Sequence, residues 1–155
     1  MPEINPLPGP VLIVDDDEND ILLVQRAFER AGLQNPIHIV KGGFSALAYF
    51  KGDSPYEDRS RHPLPALVLL DINMPGIDGF EVLKWIRQQK SFAHLPVVML
   101  TAVEEIRIVT KAYKLGGTSF LIKPLDFWNA SELMHSLQRV TARAQLRGEN
   151  ALPDR

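Results

Sequence analysis

The 155-residue chain carries 17 Lys and Arg against 19 Asp and Glu, a formal net charge of −2 that gives no overall attraction to nucleic acid or anionic lipid. It has no cysteine, which excludes disulfides and thiolate metal sites, and no run approaches the roughly 18 apolar residues of a membrane span. The N-terminus lacks the basic and then apolar pattern of a signal peptide, so we expect a cytoplasmic protein with one globular domain.

The N-terminal segment, residues 1–10, holds four prolines and predicts an extended arm. An unbroken apolar strand, residues 11–14, follows it and ends in the acidic run Asp15-Asp-Asp-Glu18. A second apolar run, residues 67–70, also leads into a carboxylate, Asp71, which ends its strand and precedes turn residues. Unbroken apolar runs are typical of strands buried on both faces of a parallel sheet.

The remaining elements alternate between short apolar runs and amphipathic stretches. The apolar stripe of the first helix includes Ile21, Leu22 and Phe28, and the second helix carries Phe44 and Phe50. The predicted strands are 11–14, 36–40, 67–71, 96–100 and 119–122, and the predicted helices run from the acidic cluster to Gly32, over 43–51, 80–90 and 104–115, and onward from an N-cap at Asp126.

Five strands alternating with five helices predict an α/β fold with a parallel sheet. We expect a flavodoxin-like, doubly wound five-stranded sheet in the order 2-1-3-4-5, with helices on both faces. In that order the first and third strands are neighbours, so Asp15, Asp16 and Asp71 converge at the carboxyl edge. Thr101 and Lys123 end the fourth and fifth strands at the same edge.

Clustered carboxylates repel one another and call for a cation. An all-oxygen set without His or Cys suits Mg²⁺. A carboxylate beside Mg²⁺ and an ammonium group is a plausible nucleophile toward phosphorus, which would make Asp71 the site of an aspartyl phosphate. Thr101 could then donate a hydrogen bond to the phosphoryl group, and Lys123 could pair with it.

These residues and their spacing resemble the receiver domain of two-component response regulators, a chemotaxis-type phosphoacceptor module. Thr101 and Lys123 follow Asp71 by 30 and 52 residues, close to the spacing of that family. Lys123-Pro124 also has the family form, in which the peptide bond is usually cis. The resemblance covers residues 11–147 as the receiver domain and leaves 148–155 as a C-terminal tail.

The resemblance implies a role for each matching position. Asp71 is the phosphorylated aspartate, Asp16 a direct Mg²⁺ ligand and Asp15 an outer carboxylate that holds water on the metal. Asn73 supplies its backbone carbonyl to the metal, and its side chain faces the phosphoryl group. Thr101 turns inward on phosphorylation. Phe120 occupies the switch-aromatic position of the family but has no ring hydroxyl with which to hydrogen-bond.

Asp17 and Glu18 are assigned to the start of the first helix, where acids favour the helix dipole.

The resemblance also implies partners. A histidine kinase or phosphotransfer protein donates the phosphoryl group, and an unknown downstream protein receives the signal, because few residues follow the domain and no output domain is expected. The long loop over residues 52–65 and the general run of the sequence resemble the single-domain regulators paired with bacterial phytochromes. The partner or homodimer surface is placed on helix 4, strand 5 and helix 5, with candidate residues Ile106, Tyr113, Lys114 and Trp128.

Two alternatives to a phosphorylatable receiver stay open on the sequence. A degenerate receiver would bind partners without phosphorylation. Asp15-Asp-Asp17 also fits the Asp-x-Asp of haloacid-dehalogenase-like phosphatases, although Asn19 stands where that motif has Thr or Val. A nucleotide or flavin binder lacks its glycine-rich motif here. The 52–65 loop is either a tolerated insertion or a binding feature.

Overall fold

The computed structural model describes residues 9–101, 110–111, 114, 119–122 and 137–139, with the backbone path alone at 101 and 119–122. Its sheet is parallel throughout and has the order β2-β1-β3-β4-β5, which confirms the predicted fold class. The strands are β1 (Val11–Val14), β2 (Ile37–Val40), β3 (Leu67–Asp71), β4 (Val97–Thr101) and β5 (Ser119–Ile122). The helices described from end to end are α1 (Glu18–Arg30), α2 (Gly43–Lys51) and α3 (Gly79–Gln88).

The apolar strands are buried on both faces, as their unbroken hydrophobic runs predict. Alternate residues of each strand enter opposite cores. Val11 and Ile13 pack on the side of α1, where Leu137 joins them fully buried, whereas Leu12 and Val14 pack on the side of α2 and α3. The two cores hold the carboxyl ends of β1 and β3 in a fixed relation.

Two apolar residues do not follow their predicted stripes. Leu22 of α1 is 44% exposed and Phe44 of α2 is 73% exposed, while Tyr49 of α2 is buried. The helical period gives spacing on a helix but not how the helix is rotated against the sheet. The third helix also differs from its predicted range of 80–90, because α3 ends at Gln88 and is followed by a short 3₁₀ turn, Lys90–Phe92.

The 52–65 loop connects the end of α2 to the start of β3, so it lies at the amino edge of the sheet. The Arg59 guanidinium donates to the carbonyls of Tyr49 (2.7 Å) and Phe50 (2.9 Å), the last turn of α2. The Tyr49 hydroxyl donates to the Pro63 carbonyl at 2.8 Å. These bonds attach the loop to α2, away from the acidic edge.

The N-terminal boundary is tied to the fold from Gly9 onward. Asn35 Nδ2 donates to the Gly9 carbonyl at 2.8 Å, and the Ala66 amide donates to the Pro10 carbonyl at 2.7 Å. Residues 1–8 and 148–155 lie outside the described residues, so the expected arm and tail stay predictions. Among the described residues, no helix combines the length and the apolar character needed to cross a bilayer.

Candidate functional site

Three carboxylates meet at the carboxyl edge of the sheet. Asp15 and Asp16 follow β1, Asp71 is the last residue of β3, and one carboxylate oxygen from each lies within 4.8 Å of the others. Strands β1 and β3 are neighbours with Val14 opposite Leu70, which brings the acids together from distant parts of the sequence. The sequence-predicted convergence of these three residues is therefore confirmed.

The cluster is unequally exposed. Asp15 is fully buried and Asp71 is 4% exposed, whereas Asp16 is exposed. The backbone fixes the two buried acids, because the Asp15 amide donates to the Val40 carbonyl and the amide after Asp71, that of Ile72, donates to the Leu100 carbonyl. Three carboxylates held this close together repel one another, so the cluster favours a bound cation.

The other acids of the run serve the first helix, as predicted. Asp17 is the N-cap of α1, and its carboxylate accepts from the amides of Asn19 (2.8 Å) and Asp20 (3.3 Å). Glu18 accepts from the Lys41 ammonium, and this hydrogen bond lowers the pKa of the Glu18 carboxyl. Asp17 and Glu18 therefore act at the start of α1, and the cluster consists of Asp15, Asp16 and Asp71.

The loop after Asp71 folds tightly back on the strand. The Gly79 amide donates to the Ile72 carbonyl at 3.0 Å. A Cβ at Gly79 would meet the Asp71 carbonyl oxygen and would lie 2.8 Å from Ile72 Cα. Asp78 caps α3 and forms a reciprocal capping box with Glu81. The start of α3 is thus packed directly on the backbone of the phosphoacceptor candidate.

The arrangement has the chemistry of a divalent cation site. Its donors are all carboxylate oxygens, and among the described residues it is the one group of three or more acidic, His or Cys side chains close enough to share an ion. Hard cations such as Mg²⁺ take such oxygen ligands. Asn73, whose carbonyl was predicted as a further ligand, is exposed in the loop two residues after Asp71.

The remaining predicted site residues are described in part. Thr101 ends β4, whose Leu100 is the register partner of Asp71, and Phe120 lies in β5 opposite Met99; the side chains of both lie outside the described part of the chain. Lys123, and with it the peptide expected to be cis, is also outside it.

The candidate interface is described only at Lys114, which is helical and exposed. Ile106, Tyr113 and Trp128 fall outside the described residues. The sequence did not predict a cation–π contact close to Lys114 in the chain, in which Lys111 Nζ lies 4.3 Å from the centroid of the Phe80 ring. No local pattern signals this contact, since it joins residues far apart in the chain.

Comparison with known proteins gives one consistent family. The family described as the response regulator receiver domain matches residues 11–138. Response regulator Rcp1 of Synechocystis is 31% identical over 136 residues, which cover 88% of this chain and 90% of that protein. The probable methanogenesis regulatory protein FilR2 of Methanothrix harundinacea is 36% identical over 117 residues, covering 76% of this chain and 73% of that one.

Solved structures agree with these matches. The bacteriophytochrome response regulator RtBRR has a TM-score of 0.74 at 32% identity, covering 85% of this chain and 77% of its own. The Mn²⁺-bound form of Rcp1 has a TM-score of 0.69 at 31% identity, covering 87% and 93%. These matches give no support to the phosphatase alternative.

Proposed function

We propose that this chain, which belongs to the response regulator receiver domain family, accepts a phosphoryl group on Asp71 and passes the signal on by protein binding. The observation that carries the proposal is the cluster of Asp15, Asp16 and Asp71 at the junction of β1 and β3. Receivers are signalling proteins, and we expect no turnover beyond self-phosphorylation from small donors and loss of the phosphoryl group to water.

In the proposed reaction a carboxylate oxygen of Asp71 forms a bond to phosphorus. The bond from phosphorus to the leaving atom breaks at the same time, and the electron pair stays on the donor, an imidazole nitrogen of a phosphohistidine or the acyl oxygen of acetyl phosphate. The recessed position of Asp71 supports this role, since a carboxylate that is only 4% exposed has little contact with bulk water.

The donor set fits a divalent cation, and Asp15, Asp16, Asp71 and the Asn73 carbonyl are the residues that would hold it. When bound, Mg²⁺ would neutralise charge on the transferring phosphoryl oxygens. Asp16 and Asp71 are the proposed direct carboxylate ligands, and Asp15 would hold water in the coordination shell. The buried carboxylate of Asp15 is anchored on one oxygen by the Asp17 amide, which supports a fixed orientation.

Thr101 and Lys123 complete the proposed site. Thr101 ends the strand next to β3, and Lys123 follows Ile122, the last residue of β5, so the parallel topology supports their position near Asp71. Thr101 would donate its hydroxyl to the phosphoryl group, and Lys123 would form an ion pair with it. Movement of Thr101 and Phe120 would transmit the change to the surface of helix 4, strand 5 and helix 5.

The proposed donor is a histidine kinase or phosphotransfer protein. The similarity to bacteriophytochrome response regulators supports a phytochrome-type kinase. Ile106, Tyr113, Lys114 and Trp128 are the proposed contacts for the downstream protein or a second copy. We place the protein in the cytoplasm, and we keep residues 11–147 as the proposed extent of the receiver.

The test is incubation with acetyl phosphate and Mg²⁺ followed by intact-mass measurement. The wild-type protein should gain one phosphoryl group, Asp71→Asn should gain none, and the control Asp53→Asn, in the exposed loop at the opposite edge, should behave like wild type. A folded wild-type protein that gains no mass and shows no spectral change with beryllofluoride would instead be a degenerate, binding-only receiver.

A further inference from the structure

Phe44 is an exposed aromatic residue at the reactive edge of the sheet. It is the second residue of α2, which begins where β2 ends, so it lies at the same edge as Asp15 and Asp71. Its side chain is 73% exposed, the highest value among the large apolar residues that the structure describes. The core-facing positions of α2 are taken by other residues, including Ala46 and Tyr49. Phe44 therefore contributes little to the core.

The ring lies against the loop that follows the phosphoacceptor. A Cβ built on Gly76 would be 3.8 Å from Phe44 Cε2. The preceding residue, Gly43, packs so closely on Ile77 that a Cβ there would lie 2.6 Å from the Ile77 Cβ. The start of α2 and the 72–78 loop thus form one continuous rim beside the recess of Asp71, with Pro75 and Gly76 exposed next to the ring.

The shape of this rim distinguishes large donors from small ones. Asp71 is nearly buried, so a protein that brings a phosphohistidine to it must cover the surrounding surface, whereas a donor as small as acetyl phosphate need not contact the rim. Aromatic residues, Phe among them, are enriched at the centres of protein–protein interfaces, where a few residues carry most of the binding energy. Burial of this ring would also remove apolar surface from water.

We infer that Phe44, together with the exposed backbone at Pro75 and Gly76, is a docking contact for the phosphohistidine-bearing donor protein. The inference rests on the proposed function of Asp71 and deepens it by assigning a specificity-determining residue on α2. Phe44 acts in recognition of the donor and not in the transfer step itself.

The experiment compares two donors on three proteins. Wild type, Phe44→Ala and the control Leu64→Ala are phosphorylated by acetyl phosphate and, separately, by purified autophosphorylated histidine kinases, beginning with a phytochrome-type enzyme. Leu64 is also an exposed apolar residue, 44% exposed, but it lies in the loop at the opposite edge of the sheet. Initial rates of phosphoryl transfer, measured at a low concentration of the receiver, give the apparent kcat/KM with each donor.

Phe44→Ala should lower kcat/KM for transfer from the kinase by roughly five- to tenfold, the loss expected of an interface anchor. Its rate with acetyl phosphate should stay within about twofold of wild type, and Leu64→Ala should match wild type with both donors. An equal loss with both donors would mean that the ring positions the 72–78 loop, and no loss with either would remove any role in docking; both results overturn the inference.

Two further outcomes separate this inference from the proposed function. A wild-type protein that accepts acetyl phosphate but is phosphorylated by no kinase refutes the docking contact and leaves the acceptor chemistry intact. A wild-type protein that accepts neither refutes the proposed function itself. If Phe44→Ala converts a wild-type dimer to a monomer, the ring contacts a second copy and the inference also fails.

Discussion

The backbone amide of Asp17 donates a hydrogen bond to Oδ1 of Asp15 at 3.0 Å, which links the first turn of α1 to the buried carboxylate of the cluster. The same residue caps the helix through its own side chain. One position thus has two separable contributions, since the bond to Asp15 belongs to the backbone and the cap belongs to the carboxylate.

Replacement of the Asp17 side chain should therefore affect stability more than phosphorylation. Asp17→Ala removes the N-cap and should lower the free energy of unfolding by about 1 kcal/mol, whereas Asp17→Asn keeps an acceptor and should cost less. Urea denaturation measures the difference. Both variants should still gain a phosphoryl group from acetyl phosphate, and loss of phosphorylation in a folded Asp17→Asn would show that the carboxylate itself serves the site.

Gly79 should tolerate no side chain. The Cβ of Gly79→Ala would collide with the backbone of Asp71 and Ile72, so the start of α3 must shift. We expect a loss of about 2 to 3 kcal/mol in the free energy of unfolding, as in overpacked cores, and slower phosphorylation of Asp71. Gly42→Ala is the matched control, because a Cβ at Gly42 meets nothing within 4 Å. Similar losses for both variants would contradict this account.

Replacing Asp16 should have two opposite effects, on stability without metal and on Mg²⁺ affinity. Asp16→Asn removes one of three repelling carboxylates, so its Tm in EDTA should exceed that of wild type. The same change removes a proposed ligand, so the Mg²⁺ affinity measured by calorimetry should fall at least about tenfold, which is 1.4 kcal/mol. Asp53→Asn should change neither quantity. A variant with unaltered Mg²⁺ affinity would place the ion elsewhere.

Arg59 should stabilise the 52–65 loop without affecting the reactive edge. Its guanidinium donates to the carbonyls of Tyr49 and Phe50 and, at 3.3 Å, to that of His62. Arg59→Ala should cost about 1.5 to 3 kcal/mol, the range for hydrogen bonds to charged groups, and should speed proteolysis within the loop. Arg59→Lys should restore little, because one ammonium cannot reproduce the planar fork. Phosphorylation by acetyl phosphate should remain at the wild-type rate.

Titration of His38 should make the free energy of unfolding depend on pH. Burial, and then repulsion from His62, lower the pKa of His38. Because the unfolded chain then binds the proton more readily, the free energy of unfolding should decline as the pH falls below about 6.5, toward the lower folded pKa of His38. Urea denaturation between pH 7.5 and pH 5 tests this, and His38→Gln should flatten the slope. The exposed His94, changed to Gln, should leave the slope as in wild type.

The convergence of the acids could be predicted because it depends on chain order alone. Unbroken apolar runs ending in Asp15 and Asp71 predict buried parallel strands, and right-handed crossovers bring their carboxyl ends to one edge. The exposure of Phe44 could not be predicted from its helical spacing, because the rotation of α2 depends on what the sheet presents to it. The contacts of Arg59 and of Lys111 join residues through space, and no local pattern encodes them.

The attachment of Gly9 and Pro10 to Asn35 and Ala66 has a practical consequence for measurement. These contacts lie beside the beginnings of β1 and β3, at the end of the sheet remote from Asp71. A sensor chip or fluorescent reporter coupled through the amino terminus should therefore leave the acidic rim facing the bulk solution. The protein can be immobilised in that orientation for kinetic measurements of donor binding.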